Sequence, residues 1–173
     1  MFNKSMQITA YFTFSIIIGI LLYSIIQKQE PVSVVKGNYD FTPLNFTLEN
    51  TNDTICKMLI RERENSAQVI LANGDTYFFN DPGCMILWIK EYKKNNKIAK
   101  LWIYTTDTHR WIDAKMAWYG IRDKSVMGYG FGAREKKCKG CIDFKEMRIR
   151  MLHNETLLNP VIRKRLLEDN YDF

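Results

Sequence analysis

Two groups of cysteine residues carry the most specific chemistry in this chain. The first is Cys56-Lys57-Met58, a Cys-x-Met triplet that offers a thiolate and a thioether. Both sulfur atoms are soft, polarizable donors, which favour Cu(I) over harder ions. The triplet enters a predicted strand, where side chains two residues apart project to the same face. We therefore expect Cys56 and Met58 to meet one ion, while placement of both in the core is the competing explanation.

The second group is the C-x-x-C motif formed by Cys138 and Cys141. Its two sulfur atoms can form a disulfide, chelate a metal ion or exchange disulfides with another thiol. Lys136 and Lys137 precede the motif, and their positive potential favours the thiolate form. Three interpretations stay open: a structural or redox disulfide, a second copper or zinc site, and a catalytic pair as in thioredoxins. The last lacks the surrounding βαβ pattern.

Further sulfur atoms come from Met127 and Cys84. Met127 lies in a glycine-rich loop, where it can serve either as a third ligand or as an apolar contact against the aromatic strands. Cys84 lies on the apolar side of a predicted helix, where a buried free thiol is the ordinary explanation. A four-thiolate zinc site with Cys56, Cys138 and Cys141 is the alternative, although the usual closely spaced pair is missing in the first half. The chain has only 2 histidines, so a histidine-rich metal site is excluded.

Composition and motifs argue against an enzyme and against a nucleic-acid-binding protein. The 173 residues allow one compact domain and an anchor. The formal net charge is +6, but the basic residues are scattered among acidic ones, as on a solvated surface. The sequence contains no G-x-S-x-G, phosphate-binding loop or H-E-x-x-H motif. We therefore expect a non-catalytic protein that does not bind nucleic acid.

The first 28 residues are typical of a membrane anchor. Lys4 precedes an apolar run from Ile8 to Ile26, which is long enough to cross a bilayer. No small-residue cleavage pattern follows it, so we predict an uncleaved signal-anchor. We expect a single-pass protein of the inner membrane with its domain in the periplasm, the alternative being a domain at the cytosolic surface. Residues 29–54, with two prolines and scattered apolar residues, are predicted to be a linker.

Residues 55–173 are predicted to form an α+β domain with an antiparallel sheet. Asn73-Gly74-Asp75 indicates a hairpin turn, and Asp81-Pro82 indicates a helix start. A second, aromatic strand pair follows, joined by a turn at residues 107–109, and then an amphipathic segment. The order strand, strand, helix thus occurs twice, which predicts two ββα units, with a final helix from Pro160 to Glu168.

Three stretches taken together resemble the NosL family of copper accessory proteins. They are the Cys56-x-Met58 triplet, the segment NGDTYFFNDPGCMILWI, and WIDAKMAWYG followed by Met127-Gly128. Family members carry a Cys-x-Met near the start of the exported domain, a Phe-rich hairpin before a helix, and a Trp-x-Asp-Ala strand before a Met-Gly loop. The resemblance covers residues 55–133. Two departures are the spanning segment, where family members are commonly lipoproteins, and the Lys57 position, where glycine is often found.

The resemblance implies paired ββα units and a Cu(I) site formed by Cys56, Met58 and Met127. It implies a metallochaperone that delivers copper to a cuproenzyme such as nitrous oxide reductase. The predicted anchor adds the membrane as a further partner. Two other functions stay open: a thiol-disulfide oxidoreductase that uses Cys138 and Cys141, and a tethered interaction domain with a structural role. A homodimer in which two copies share one ion at Cys56 is also an open alternative.

Overall fold

A computed structural model describes residues 4–26, 30–92 and 97–168. The chain divides into two compact units, Met1–Glu30 and Pro31–Phe173. The first contains the helix α1 (Lys4–Ile26). The second contains all the other helices and strands of the described residues.

Helix α1 is long and apolar enough to cross a membrane. Its 23 residues correspond to about 35 Å, which exceeds the hydrocarbon thickness of roughly 30 Å. The segment Gln7–Ser24 has a mean hydropathy of 1.6, and none of it is buried within the protein. The predicted apolar helix is therefore present. Lys28, at the predicted end of the anchor, lies outside the described residues, and the orientation in the membrane stays a prediction.

The second unit is α+β, as predicted, with antiparallel sheets. A five-stranded sheet has the order β1-β3-β2-β4-β5, and β6 pairs with β7 in a second sheet. The strands are β1 (Val34–Val35), β2 (Ala67–Leu71), β3 (Thr76–Phe79), β4 (Ile98–Tyr104), β5 (Trp111–Asp113), β6 (Trp118–Tyr119) and β7 (Ala133–Arg134). The predicted hairpin joins β2 and β3, with Gly74 at a φ of 82° in its turn.

The described residues of this unit also form three helices. They are α2 (Pro82–Glu91), α3 (Phe144–Leu152) and α4 (Pro160–Glu168), the last with the predicted bounds. The order β2, β3, α2 gives one strand-strand-helix sequence, but four strands then precede α3. Strand β4 pairs with β2 in the first sheet, so the second strand pair extends that sheet. The division into two ββα units stays a prediction.

The segment predicted as a linker, residues 29–54, is part of the folded unit from Pro31 onward, which corrects that expectation. Strand β1 pairs with β3, and Phe46 packs with Ile60 and Phe78 in a small hydrophobic cluster. The buried side chain of Gln68 both accepts from the backbone N–H of Leu44 (2.9 Å) and donates to its carbonyl (2.8 Å).

Residues 31–54 belong to the folded unit because they cover strand β2, all of whose residues are buried. Ala67, Val69 and Leu71 belong to the main core with α2 and α3, while Gln68 and Ile70 project to the opposite face. A strand buried on both faces needs a covering layer on each side. Residues 31–54 help to supply the second layer, which is why their scattered apolar residues are ordered.

Candidate metal centre

A buried carboxylate, Asp53, shapes the turn that carries Cys56. Its Oδ1 accepts hydrogen bonds from the backbone N–H groups of Ile55 (2.8 Å) and Cys56 (3.0 Å). Its Oδ2 accepts from the backbone N–H of Asn80 (2.8 Å), just after strand β3. A short side chain that accepts from the following backbone is typical of an Asp-initiated turn. Asp53 therefore ties this turn to the segment that begins α2.

The strand expected for Cys56-Lys57-Met58 is absent, which corrects the geometry on which a shared face was predicted. These residues form a turn in which Lys57 has a φ of 63°. The backbone N–H of Asp53 donates to the carbonyl of Met58 (2.8 Å), which closes the turn. Cys56 is half-buried, whereas the Met58 side chain is exposed.

Cys84 is positioned by the first turn of α2. Asp81 caps this helix, since its Oδ1 accepts from the backbone N–H of Gly83 (2.7 Å), and Pro82 occupies the first helical position. A Cβ atom on Gly83 would lie 2.4 Å from the ring of Tyr129, so only glycine lets this ring cover the helix start. Cys84 is thus buried in the first turn of α2, and only 1% of its surface is exposed.

The turn and the helix bring Asp53, Cys56 and Cys84 into one cluster. The two Sγ atoms and a carboxylate oxygen of Asp53 all lie within 4.8 Å of one another. Because the carboxylate already accepts three backbone N–H groups, the two thiols are the donors most available to an ion. Thiolate sulfur selects soft ions such as Cu(I), whereas zinc normally requires four ligands. The donor set therefore fits a soft cation held mainly by sulfur.

The electrostatic surroundings keep both thiols protonated. Burial raises the pKa of Cys56, and the Asp53 carboxylate adds to the effect. Burial raises the pKa of Cys84 still further, and the negative charges of Asp53 and Asp81 add to it. These effects outweigh the favourable potential of the α2 N-terminus. A cation that replaces the thiol protons would therefore relieve an electrostatic penalty as it binds.

Two neutral polar side chains, those of Tyr129 and Asn80, also lie beside the cluster. Burial is the largest cause that raises the pKa of Tyr129 to about 12, and the Asp81 carboxylate adds to it, so the Tyr129 hydroxyl group is protonated at neutral pH. The buried Asn80 amide forms a hydrogen bond that lowers the pKa of Cys56, and its Oδ1 has no partner among the described residues. The Oδ1 atom of Asn80 is thus a further oxygen that could ligate an ion beside Cys56.

A surface groove of about 500 Å³ leads to Asn80. Met58 and Val126 are both in its lining, so the predicted ligand Met58 and the loop that precedes Met127 share this groove. Met127 is half-buried, packs against the core that contains Cys84, and its backbone N–H approaches Asp81 Oδ2 at 3.4 Å. The structure thus places Met58 in the groove with Asn80, and Met127 next to the lining residue Val126 and against the core that contains Cys84.

The second cysteine pair lies in a different part of the fold. Cys138 and Cys141 form a disulfide in the turn between β7 and α3, as in the first of the three interpretations of the motif. Neither residue belongs to the cluster around Asp53. The two cysteine groups are therefore separate sites.

Sequence reasoning placed Cys56 in the site, missed Asp53, and favoured a core position for Cys84 over a place in a metal cluster. An available signal was Asp53-Thr54-Ile55-Cys56, because an aspartate three residues before a cysteine can accept its backbone N–H. The proximity of Cys84 had no local signal, since 28 residues separate it from Cys56. No family model, curated protein or solved structure matches the chain.

Proposed function

We propose that this protein is a membrane-anchored Cu(I) carrier whose domain binds the ion through Cys56 and Cys84. One observation carries the proposal: two thiols from distant parts of the chain meet beside a carboxylate within 4.8 Å. Two sulfur donors suit the low coordination numbers of Cu(I). The resemblance of residues 55–133 to the NosL family supports the same metal.

In this proposal Met58 and Met127 receive the ion before the thiols do. Met58 lines the groove, and Met127 lies in the loop that flanks it. Thioethers bind Cu(I) without a charge and without releasing a proton, so they suit transient contacts. The ion then moves by ligand exchange to the buried thiols, which release their protons as they bind it.

Helix α1 would hold this domain at the membrane, and we place the domain in the periplasm. The recipient is a copper-receiving enzyme, with nitrous oxide reductase as the candidate that the resemblance implies. Transfer to it would reverse the order of contacts, from thiols to methionines to the partner. The protein itself carries out no covalent chemistry in this proposal.

The test is an anaerobic Cu(I) titration of the full chain in a neutral detergent with the Cys138–Cys141 disulfide intact, using ascorbate, which keeps copper reduced without opening the disulfide, and a competing chelator. We expect one Cu(I) per chain and a loss of affinity of at least about 100-fold in both Cys56→Ser and Cys84→Ser, since ligand loss should exceed the effect of supporting groups. A Cys138→Ser, Cys141→Ser double variant is the matched control and should bind like the wild type.

Two results would contradict the proposal. One is Cu(I) binding that is unchanged in both single variants, and the other is tighter binding of Zn²⁺ than of Cu(I) in parallel titrations. Circular dichroism of each variant separates loss of ligand from loss of fold. Serine is close in size to cysteine, so the buried site can keep its packing.

A further inference from the structure

The disulfide between Cys138 and Cys141 forms part of the wall of a cavity of about 750 Å³. Both cysteines are half-buried, and Gly140 between them has a φ of 75°, which allows the tight turn. The turn is held to β6 because the backbone groups of Ile142 and Tyr119 exchange two hydrogen bonds (2.8 and 2.9 Å). The disulfide therefore faces a cavity of the size that small-molecule ligands occupy.

The cavity is strongly basic. Four cationic side chains and one anionic side chain line it, which leaves a formal charge of +3. The lining cations are Arg122, Arg134, Lys139 and Arg150. Arg122 and Lys139 are exposed, and neither has an ion-pair partner among the described residues. A concave surface with an excess of one charge concentrates ligands of the opposite charge.

The single acidic residue of the lining, Asp123, forms an ion pair with Arg134. Its Oδ2 accepts from Arg134 Nη2 at 3.0 Å. A Cβ atom on Gly120 or Gly132 would lie within 2.2 Å of the same carboxylate oxygen, so both glycines are needed for this carboxylate to fit. Arg134 Nε is buried and has no hydrogen-bond partner among the described residues. Arg134, a residue of the lining, therefore has one donor that is not satisfied within the protein.

We propose that this cavity binds a small anionic thiol and that the Cys138–Cys141 disulfide exchanges with it. The arginines and Lys139 would bind the carboxylate or sulfonate group of that thiol. Its thiolate would then attack a sulfur atom of the half-buried cysteines. This function is independent of the Cu(I) site, because neither cysteine belongs to the cluster around Asp53.

The reaction balances as two successive exchanges. The thiolate of the small molecule attacks one cysteine sulfur, a mixed disulfide forms, and the other cysteine leaves as a thiolate. A second thiolate of the same kind attacks the small-molecule sulfur of that mixed disulfide, which releases the oxidised small molecule and the second cysteine thiolate. Two electrons pass from two small thiols to the protein, and the cysteine thiolates take protons from water according to pH. The basic cavity stabilises each thiolate that forms.

The experiment compares two probes of the same length and opposite charge, 2-mercaptoethanesulfonate and cysteamine, on the oxidised full chain in neutral detergent. Reduction of the Cys138 and Cys141 peptides is followed by alkylation and mass spectrometry, which separates them from Cys56 and Cys84. Rates are corrected for the thiolate fraction of each probe and divided by those for the urea-unfolded chain. We expect the anionic probe to be favoured about tenfold at low ionic strength, and less at high ionic strength.

Arg122→Gln combined with Lys139→Gln should remove most of this preference, while Lys36→Gln, an exposed lysine outside the cavity, should leave it unchanged. All three substituted residues are exposed, so folding should be preserved. Equal corrected rates for the two probes would overturn the proposal, as would a preference that survives the double substitution. A disulfide that neither probe reduces in the folded chain would overturn it as well.

Discussion

The two cysteine pairs of this protein differ in nearly every physical property that governs sulfur chemistry. Cys56 and Cys84 are distant in sequence, meet beside carboxylates, and have raised pKa values. Cys138 and Cys141 are three residues apart and lie among arginines and lysines. Negative surroundings favour protonated thiols that exchange protons for a cation, whereas positive surroundings favour thiolates and anionic partners. The same residue type therefore suits metal binding in one region and disulfide exchange in the other.

The largest effect that would sharpen this comparison is the pH dependence of Cu(I) binding. Because the pKa values of both thiols are raised, the free site carries two thiol protons at neutral pH, and binding releases them. Each released proton should lower the Cu(I) affinity tenfold for every unit by which the pH falls. For two protons the affinity should fall about 10⁴-fold between pH 8 and pH 6. Competition titrations at three pH values, corrected for the chelator, measure the slope. A slope near zero would mean that the ion does not replace thiol protons, and so that Cys56 and Cys84 are not its ligands.

A second prediction concerns the carboxylate that joins Cys56 to Cys84. Asp53→Ala leaves three backbone N–H groups without an acceptor, one of them buried and two partly buried, so we expect a loss of roughly 4 kcal/mol in the free energy of unfolding. Asp143, which caps α3 after the second pair, is the matched control: Asp143→Ala should cost about 1 kcal/mol. Urea unfolding followed by circular dichroism measures both. Equal losses of unfolding free energy in the two variants would show that Asp53 stabilises the protein no more than a helix-capping residue does.

The third prediction uses the buried Asp81 next to Cys84. Burial raises its pKa in the folded state from 3.8 to about 6. Above pH 6 the folded protein holds an unfavourable charge; as the pH falls from 6 to 4, only the folded state takes up the proton, so this group makes the protein more stable. The gain should reach roughly 3 kcal/mol.

Asp81→Asn removes this titration and keeps an oxygen for the backbone N–H of Gly83. The difference in unfolding free energy between wild type and variant should therefore change between pH 7.5 and pH 4.5, in favour of the wild type at the lower pH. Urea unfolding of the metal-free protein at both values measures this. A difference that does not vary with pH would place the Asp81 pKa near its ordinary value.

The smallest expected effect concerns the methionines around the groove. Met58→Leu and Met127→Leu should each slow Cu(I) uptake about tenfold and leave the equilibrium affinity nearly unchanged, since these thioethers contact the ion only in transit to the thiols. Leucine replaces methionine at similar volume, so stability should change little. Met116→Leu, at an exposed position, is the control. Stopped-flow mixing with a Cu(I)–chelator complex measures the rate, and uptake at the wild-type rate in both methionine variants would show that the ion reaches the thiols without these residues.

Local sequence signals determined a large part of the fold. The length of the apolar run predicted α1, the turn at residues 73–75 predicted the hairpin of β2 and β3, and Asp81-Pro82 predicted the start of α2. These features depend on contacts within a few residues, which a sequence pattern contains directly. The closeness of Cys138 to Cys141 has the same origin, because three residues of spacing suffice to bring the sulfur atoms together.

Only the tertiary structure decided which sulfur atoms Cys56 meets. Its neighbour Cys84 is brought in because Asp53 accepts from the backbone N–H of Asn80, just before α2. The structural role of residues 31–54 also depended on long-range packing, because strand β2 had to be covered on its second face. Burial and the two carboxylates then set the thiol pKa values. These properties arise from segments that are distant in sequence, so no local pattern records them.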